Sequence, residues 1–168
     1  MEYKDFANCS DEELFSKIYD EYSERALRFA STITCNKEIA LDSVQEAFIR
    51  IYRYIRKFDK TKEFEPWFFR IVANESKRQL RKYKNTIELN DNVCEDIVPE
   101  EVENIVNIKE ALTKLKFEQR EILTYKYLFG YTEQEISELI KKPVGTVKSR
   151  LFKAREDLRS IVREEGQI

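Results

Sequence analysis

Histidine is absent from this chain of 168 residues, and cysteine, glycine and proline each occur only three times. Each shortage removes a class of function. Without histidine, and with Cys9, Cys35 and Cys94 far apart and in no ligand spacing, no metal site is expected. The commonest general base at neutral pH is missing as well. Three scattered cysteines read as reduced thiols rather than a disulfide framework. No glycine-rich phosphate loop and no nucleophile elbow occurs, and no acids are paired around a glycine-relieved cleft. No run of about 18 apolar residues exists to span a membrane. The first residues, Met1 to Asp5, have neither the basic nor the apolar segment of a secretory signal. A binding protein of the cytoplasm is therefore expected, with no catalytic residues, no cofactor and no direct membrane insertion.

What remains is rich in charge: 42% of residues are hydrophobic and 37% charged. So few helix breakers among so many charges at helical spacing predict an all-α protein. The net charge of −2 hides a sorting of signs. Residues 69–84 hold six bases and one acid, and residues 145–163 hold six bases and two acids. Between them, residues 85–104 carry seven acids and no base. Two basic helical segments joined by an acidic connector suggest two nucleic-acid contacts and a strand that avoids DNA.

The apolar periodicity divides the chain into two small helical lobes. In the first, Ser10 and Glu13 have capping-box spacing. Leu14, Phe15, Ile18, Tyr22, Leu27, Phe29, Ala30 and Ile33 then recur at helical steps up to a break near Cys35-Asn36. A second helix is predicted from about Lys37 to Phe58, with Leu41, Val44, Phe48, Ile51, Tyr52 and Ile55 on its inner side. Asp59 to Lys62 reads as a polar turn. Pro66 suits the first position of a third helix, which runs to about Lys84. The second lobe starts near Glu100, with Val102, Ile105, Val106, Leu112 and Leu115, and continues with a helix from about Phe117 to Leu128. The expected boundaries are 1–84, an acidic flexible linker at 85–104, and 105–168. At about 60 residues each, the lobes are marginal alone, so partners are expected to support them.

The most informative stretch is Pro143 to Arg155. On a helix from Thr146, residues Val147, Leu151, Ala154, Leu158 and Ile161 fall within about 40° of one line, a buried stripe. Nearly opposite lie Ser149, Phe152, Lys153 and Glu156, with Lys148 on the flank. An exposed phenylalanine between a hydroxyl and a lysine gains nothing by burial unless another molecule covers it. Duplex DNA uses all three groups: phosphates for lysines, polar base edges for Ser149, a thymine methyl for Phe152. Before it, Thr132 and Glu135 form a second capping box and Ile136, Leu139 and Ile140 a short apolar face. Lys141 to Gly145 supply a turn in which Gly145 provides the unusual φ. A capped helix, a turn and a longer basic helix are the parts of a helix-turn-helix. The plainer reading is a helical hairpin with a solvated charged face.

Three further surfaces stand out. On the third helix Arg70, Asn74, Lys77, Arg81 and Lys84 form a one-sided stripe, suited to phosphates with Asn74 able to read a base; a solvated basic face is the alternative. Trp67 aligns with Phe68 and Ile71, which favours packing over stacking. The loop from Phe58 to Glu65, polar at its centre with Lys62 and with Phe58 and Phe64 at its ends, has the makings of a pocket for an unstacked base. On the second helix Asp42, Gln45, Glu46, Ile49 and Arg53 give the mixed outer face of a protein interface.

Four stretches, in order, carry a family likeness: Leu14-Phe15 with the tyrosines and leucines of the first helix; Asp42-Ser43-Val44-Gln45-Glu46-Ala47-Phe48; Pro66 to Asn74; and Gly145 to Leu151. With the acidic linker between the lobes, the chain resembles a sigma factor of the extracytoplasmic-function (ECF) type, of the sigma-70 family. The resemblance spans nearly the whole chain. It implies a region 2 bundle of about three or four helices, a region 4 helix-turn-helix, and partnership with bacterial core RNA polymerase. Asp42, Gln45 and Glu46, with Ile49 and Arg53 beside them, match the helix that docks on the β′ clamp helices, and region 4 implies contact with the β flap. Phe58, Lys62, Phe64, Arg70, Asn74, Lys77 and Arg81 fall in the part that binds the −10 element. Thr146, Lys148, Ser149, Phe152 and Lys153 fall on the face that reads the −35 element of promoter DNA. Control by an anti-sigma factor, often at the membrane, is also implied. Lys148 and Lys153 stand where many relatives have arginine, and lysine lacks the fork that reads guanine, so promoter preference transfers least. Rival readings are a stand-alone helix-turn-helix regulator, a metal-dependent nuclease using linker acids, and a helical adaptor.

Overall fold

The computed structural model describes residues 10–87 and 103–165. All regular structure among them is helical: α1 (Asp11–Thr34), α2 (Lys37–Tyr54), α3 (Phe64–Ile87), α4 (Glu103–Lys114), α5 (Phe117–Leu123), α6 (Glu133–Ile140) and α7 (Val144–Glu165). They fall into two compact units. α2, α3 and most of α1 make the first; α4 to α7, with the short segment Thr32–Lys37, make the second. Cys9, Cys94, Val102 and the acidic connector at 88–102 lie outside the described residues, as do the side chains of Ile105 and Val106.

α1 starts where its local chemistry dictates. The Glu13 amide donates to Ser10 Oγ at 3.2 Å and the Ser10 amide to Glu13 Oε2 at 3.0 Å, the reciprocal capping box. Asp11, Glu12 and Glu13 oppose the positive end of the helix dipole. α1 stops at Cys35, which takes the left-handed conformation with φ 52°. Its inner face within this unit, Leu14, Ile18, Tyr22, Phe29 and Ala30, is fully buried. Phe48 of α2 and Phe64, Phe68 and Phe69 of α3 meet the rings of α1, and Ile51, Ile55 and Val72 are buried in the same unit. The packing is largely ring on ring, with Tyr22 4.8 Å from Phe68 and Phe68 5.5 Å from Phe48. Each such ring contributes about 1.5–3 kcal/mol by leaving water.

Some expectations for this unit need correction. Leu41 and Tyr52 are 47% and 46% exposed, because only the Ala40, Ala47 and Ile51 side of α2 is covered; Tyr52 rests edge-on against Phe15 at 5.2 Å. The second helix ends at Tyr54 and tightens into a single 3₁₀ turn, Ile55–Lys57. Pro66 is the third residue of α3, not the first; its missing N–H still costs nothing, since first-turn amides have no partner within the helix. α3 continues to Ile87, three residues beyond the expected end.

In the second unit α7 packs on α4, α5 and α6. The core is mainly aliphatic: Ala111, Leu115, Ile122, Leu123, Ile136, Leu139, Val147, Leu151 and Ala154, with Tyr125 and Tyr131. Arg120 is buried among them and donates from Nη1 to the Leu115 carbonyl at 2.6 Å and the Leu112 carbonyl at 3.2 Å, satisfying the open end of α4. After α5 the chain makes one π turn, Thr124–Leu128, and reverses at Gly130, whose φ of 73° suits a residue without Cβ. Leu158 and Ile161 are half-buried, so the buried stripe of α7 is complete only from Val147 to Ala154.

Candidate nucleic-acid interface

α6 begins at a capping box of the form expected. The Glu135 amide donates to Thr132 Oγ1 at 3.2 Å, and the Thr132 amide and hydroxyl both donate to Glu135 Oε2 at 2.7 Å. These bonds, the backbone one first, hold the Glu135 carboxyl below its ordinary pKa. The turn that follows differs from expectation. The left-handed residue is Lys141, with φ 52°, and Gly145 sits inside α7. The amides of Thr146 and Val147 donate to the Pro143 carbonyl at 2.8 and 3.1 Å, which starts α7 at Val144. A Cβ on Gly145 would meet nothing within 4 Å, so neither φ nor packing within the described chain requires glycine there.

With Val147, Leu151 and Ala154 turned inward, α7 presents Lys148, Ser149, Phe152 and Lys153 to solvent, and Thr146 is half-buried at the helix start. Phe152 is 62% exposed. The Ser149 hydroxyl donates to the Thr146 carbonyl at 3.0 Å, a bond within its own helix that leaves the oxygen's lone pairs outward. Nearby on α6, Glu133 pairs with Lys126 at 3.1 Å, and its pKa is lowered by its own backbone N–H, then by Lys126, with a smaller pull from Lys148.

In the first unit, Asn74, Arg81 and Lys84 are exposed and Arg70 and Lys77 half-buried along α3. The loop ahead of α3 is built on Asp59, whose Oδ1 accepts from the Thr61 amide at 3.1 Å and hydroxyl at 2.7 Å; both bonds lower its pKa. Asp59 to Glu63 are exposed, Lys62 included, but Phe58 and Phe64 are not. They are only 6% and 4% exposed, packed on one another at 5.6 Å and on Trp67 at 4.9 and 5.6 Å. Assigning these two rings to DNA stacking is therefore corrected: they form the apolar floor that shapes the loop. Trp67, half-buried, is the ring of this cluster that keeps an outward part. Arg25 of α1 fixes the same corner by donating twice to Glu65, at 2.8 and 2.6 Å.

On α2, Asp42, Gln45, Ile49 and Arg53 are exposed and Glu46 is half-buried. Sequence reasoning missed that Glu46 is bonded to Arg78 of α3 at 3.0 Å, and that Arg78 and Arg50 both pair with a buried acid, Glu75. Burial alone would lower the Arg78 pKa, but the carboxylates of Glu75 and Glu46 outweigh it and raise it. Among the described residues no group of histidine, cysteine or acids is arranged to hold a metal, and no helix is long and apolar enough to cross a membrane.

By geometry, α6, the Lys141–Pro143 turn and α7 define a helix-turn-helix protein with an open reading face. Residues 18–86 match the family model for sigma-70 region 2, and residues 105–158 that for sigma-70 region 4. The chain is 30% identical to the ECF RNA polymerase sigma factor SigW of Bacillus subtilis, over 92% of this chain and 91% of SigW. It is 32% identical to SigM of the same organism, over 86% of this chain and 93% of SigM. The chain belongs to the ECF branch of the sigma-70 family of bacterial RNA polymerase sigma factors. Its fold also resembles that of the sigma factor RpoE from Bartonella quintana, solved in complex with the anti-sigma factor NepR. The TM-score is 0.76 at 22% identity, covering 89% of this chain and 96% of that one.

Proposed function

We propose that this sigma factor directs core RNA polymerase to its promoters by dividing recognition between its two units. Residues 105–168 act as region 4: Thr146, Lys148, Ser149, Phe152 and Lys153 read the −35 element in duplex form, and the unit rests on the β flap. Residues 1–84 act as region 2: Asp42, Gln45, Glu46, Ile49 and Arg53 dock on the β′ clamp helices. Lys62, Arg70, Asn74, Lys77 and Arg81 bind the −10 element after strands part, on a loop shaped by Phe58 and Phe64. Residues 85–104 connect them, with α3 reaching three residues into that connector. Holding one strand favours the open complex over the closed one, since binding shifts an equilibrium by its differential affinity for the two states. The chain itself makes and breaks no bond. The exposed Phe152, set among Lys148, Ser149 and Lys153 on a helix whose other side is core, carries this reading.

Control by an anti-sigma factor belongs to the same reading, supported by the NepR complex of the similarly folded RpoE. Such a factor would hold this protein in the cytoplasm or at the membrane. Run-off transcription with core polymerase, with and without the purified chain, tests the function. Promoter-specific transcripts that require the chain are expected. A protein that footprints duplex DNA alone and leaves core polymerase unable to start would instead be a stand-alone helix-turn-helix regulator.

A further inference from the structure

α2 and α3 share four charged side chains joined by three ion pairs in a row, Arg50 to Glu75 to Arg78 to Glu46. Glu75 of α3 is an acid buried to 3% exposure, a costly place for a charge unless it is paired and hydrogen-bonded. It is paired twice. Arg50 Nε of α2 lies 2.5 Å from its Oε1, and Arg78 Nε donates to its Oε2 at 2.6 Å. Arg78 then reaches back to α2, where its Nη2 donates to Glu46 Oε2 at 3.0 Å. Glu46 and Arg50 are one helical turn apart, so the row returns to the helix it left. Two acids and two bases balance, so the row adds no net charge to the DNA-facing stripe beside it.

Of the four, Glu46 alone lies on the face assigned to polymerase docking. An unheld glutamate on a helix surface samples many rotamers, and fixing one at an interface costs affinity. Arg78 removes that freedom in advance, and its own position is set by a buried group rather than by solvent. We propose that Arg78 is a positioning residue for docking: anchored on Glu75, it holds the Glu46 carboxylate, through Oε2, in the orientation the polymerase meets. The proposal rests on the docking role of α2. Stability alone explains the pair poorly, because Arg78 and Glu46 side chains are 37% and 42% exposed, and exposed ion pairs contribute little to folding.

The test is a double-mutant cycle with labelled full-length protein and core RNA polymerase, reading Kd by fluorescence anisotropy and folding by thermal melts. Glu46→Ala and Arg78→Ala are each expected to weaken docking by roughly five- to tenfold, and the double variant to be no weaker than Glu46→Ala alone. Arg78→Lys, which keeps the charge but not the fork, should fall between wild type and Arg78→Ala. If the two losses multiply, Arg78 acts on the polymerase directly and the positioning role is overturned. If Glu46→Ala weakens docking and Arg78→Ala does not, the positioning role fails and the docking face stands. If Glu46→Ala changes nothing, both go. Should Arg78→Ala not fold, the cycle runs with Arg78→Gln, which fills the space without the charge.

Discussion

The two units of this sigma factor build their working surfaces in opposite ways. The first spends its phenylalanines inside: Phe29, Phe48, Phe58, Phe64, Phe68 and Phe69 are all buried. The side chains proposed for docking and for the loop are then held from beneath by ion pairs, Glu46 through Arg78 to Glu75, and the loop corner through Arg25 and Glu65. The second unit has a mainly aliphatic core and leaves Phe152 outside, 62% exposed, beside Ser149, whose hydroxyl bonds within its own helix. A surface supported by a network is tied to the stability of its fold. A surface of single side chains on one well-packed helix can change its specificity with little effect on folding.

That contrast predicts its largest effect in the first core. Phe68 is fully buried and touches Tyr22, Phe48, Phe64 and Phe69. Phe68→Ala should cost about 3–5 kcal/mol in denaturant melts, whereas Phe152→Ala should stay within about 0.5 kcal/mol of wild type. A comparable loss from Phe152→Ala would mean that its ring is packed in solution, and the contrast would fail.

Next comes the network. Glu75→Gln removes the charge that two arginines share. Breaking a fully buried pair costs about 3–5 kcal/mol. Here both arginines retain access to water, with 46% and 37% of their side chains exposed, so about 1–3 kcal/mol is expected by the same melts. A neutral result would show that Glu75 is not the anchor of the α2–α3 contact.

What could be read from the amino-acid order, and what could not, follows the same division. Both capping boxes, Ser10 with Glu13 and Thr132 with Glu135, were legible because they are settled within four residues. So was the outward Phe152, because helical periodicity alone assigns the face of a regular helix. The turn before α7 was misplaced because glycine is the usual left-handed residue, yet here Lys141 takes that conformation at the end of α6, with the Lys142 amide donating to the Ser137 carbonyl, and Gly145 falls inside α7. Phe58 and Phe64 looked available because loop composition does not reveal which rings fold under the loop. The row of ion pairs around Glu75 was invisible for a different reason. The sequence shows Glu46 and Arg50 one turn apart, and Glu75 and Arg78 likewise, but the rotation of α2 against α3 decides which of them meet.

Binding should separate the units where stability does not. Phe152→Ala and Ser149→Ala are expected to lose about 1–3 kcal/mol of discrimination at particular base pairs of the −35 element, leaving other positions unchanged. Lys77→Ala and Arg81→Ala should instead weaken binding of holoenzyme to all −10 sequences alike, and flatten the salt dependence by about one unit of slope per lost phosphate contact. Footprint titrations over a base-substitution series and a salt series would show both. Normal promoter selection by Phe152→Ala would remove Phe152 from the reading face.

The smallest effect expected is an acid one, and it distinguishes the two loops. In the second unit Glu135 accepts from the amide and hydroxyl of Thr132, and its pKa lies below the ordinary 4.5. The folded state therefore holds that proton less tightly than the unfolded chain does. The carboxylate contributes stability in full above about 4.5, and the contribution is lost as pH falls through the lowered folded value. Asp59 in the first unit has the same sign, with the hydroxyl and amide of Thr61 as donors, so its contribution too is lost as pH falls through its lowered folded value. Amide chemical shifts followed during acid titration should show residues 132 and 135 responding to one carboxylate and residue 61 to the other, each below the ordinary range of its acid. Glu135→Gln, which can still cap through its side-chain oxygen, should abolish the first response and leave the second. If Glu135→Gln removes both responses, the acid sensitivity belongs to global unfolding and not to these caps.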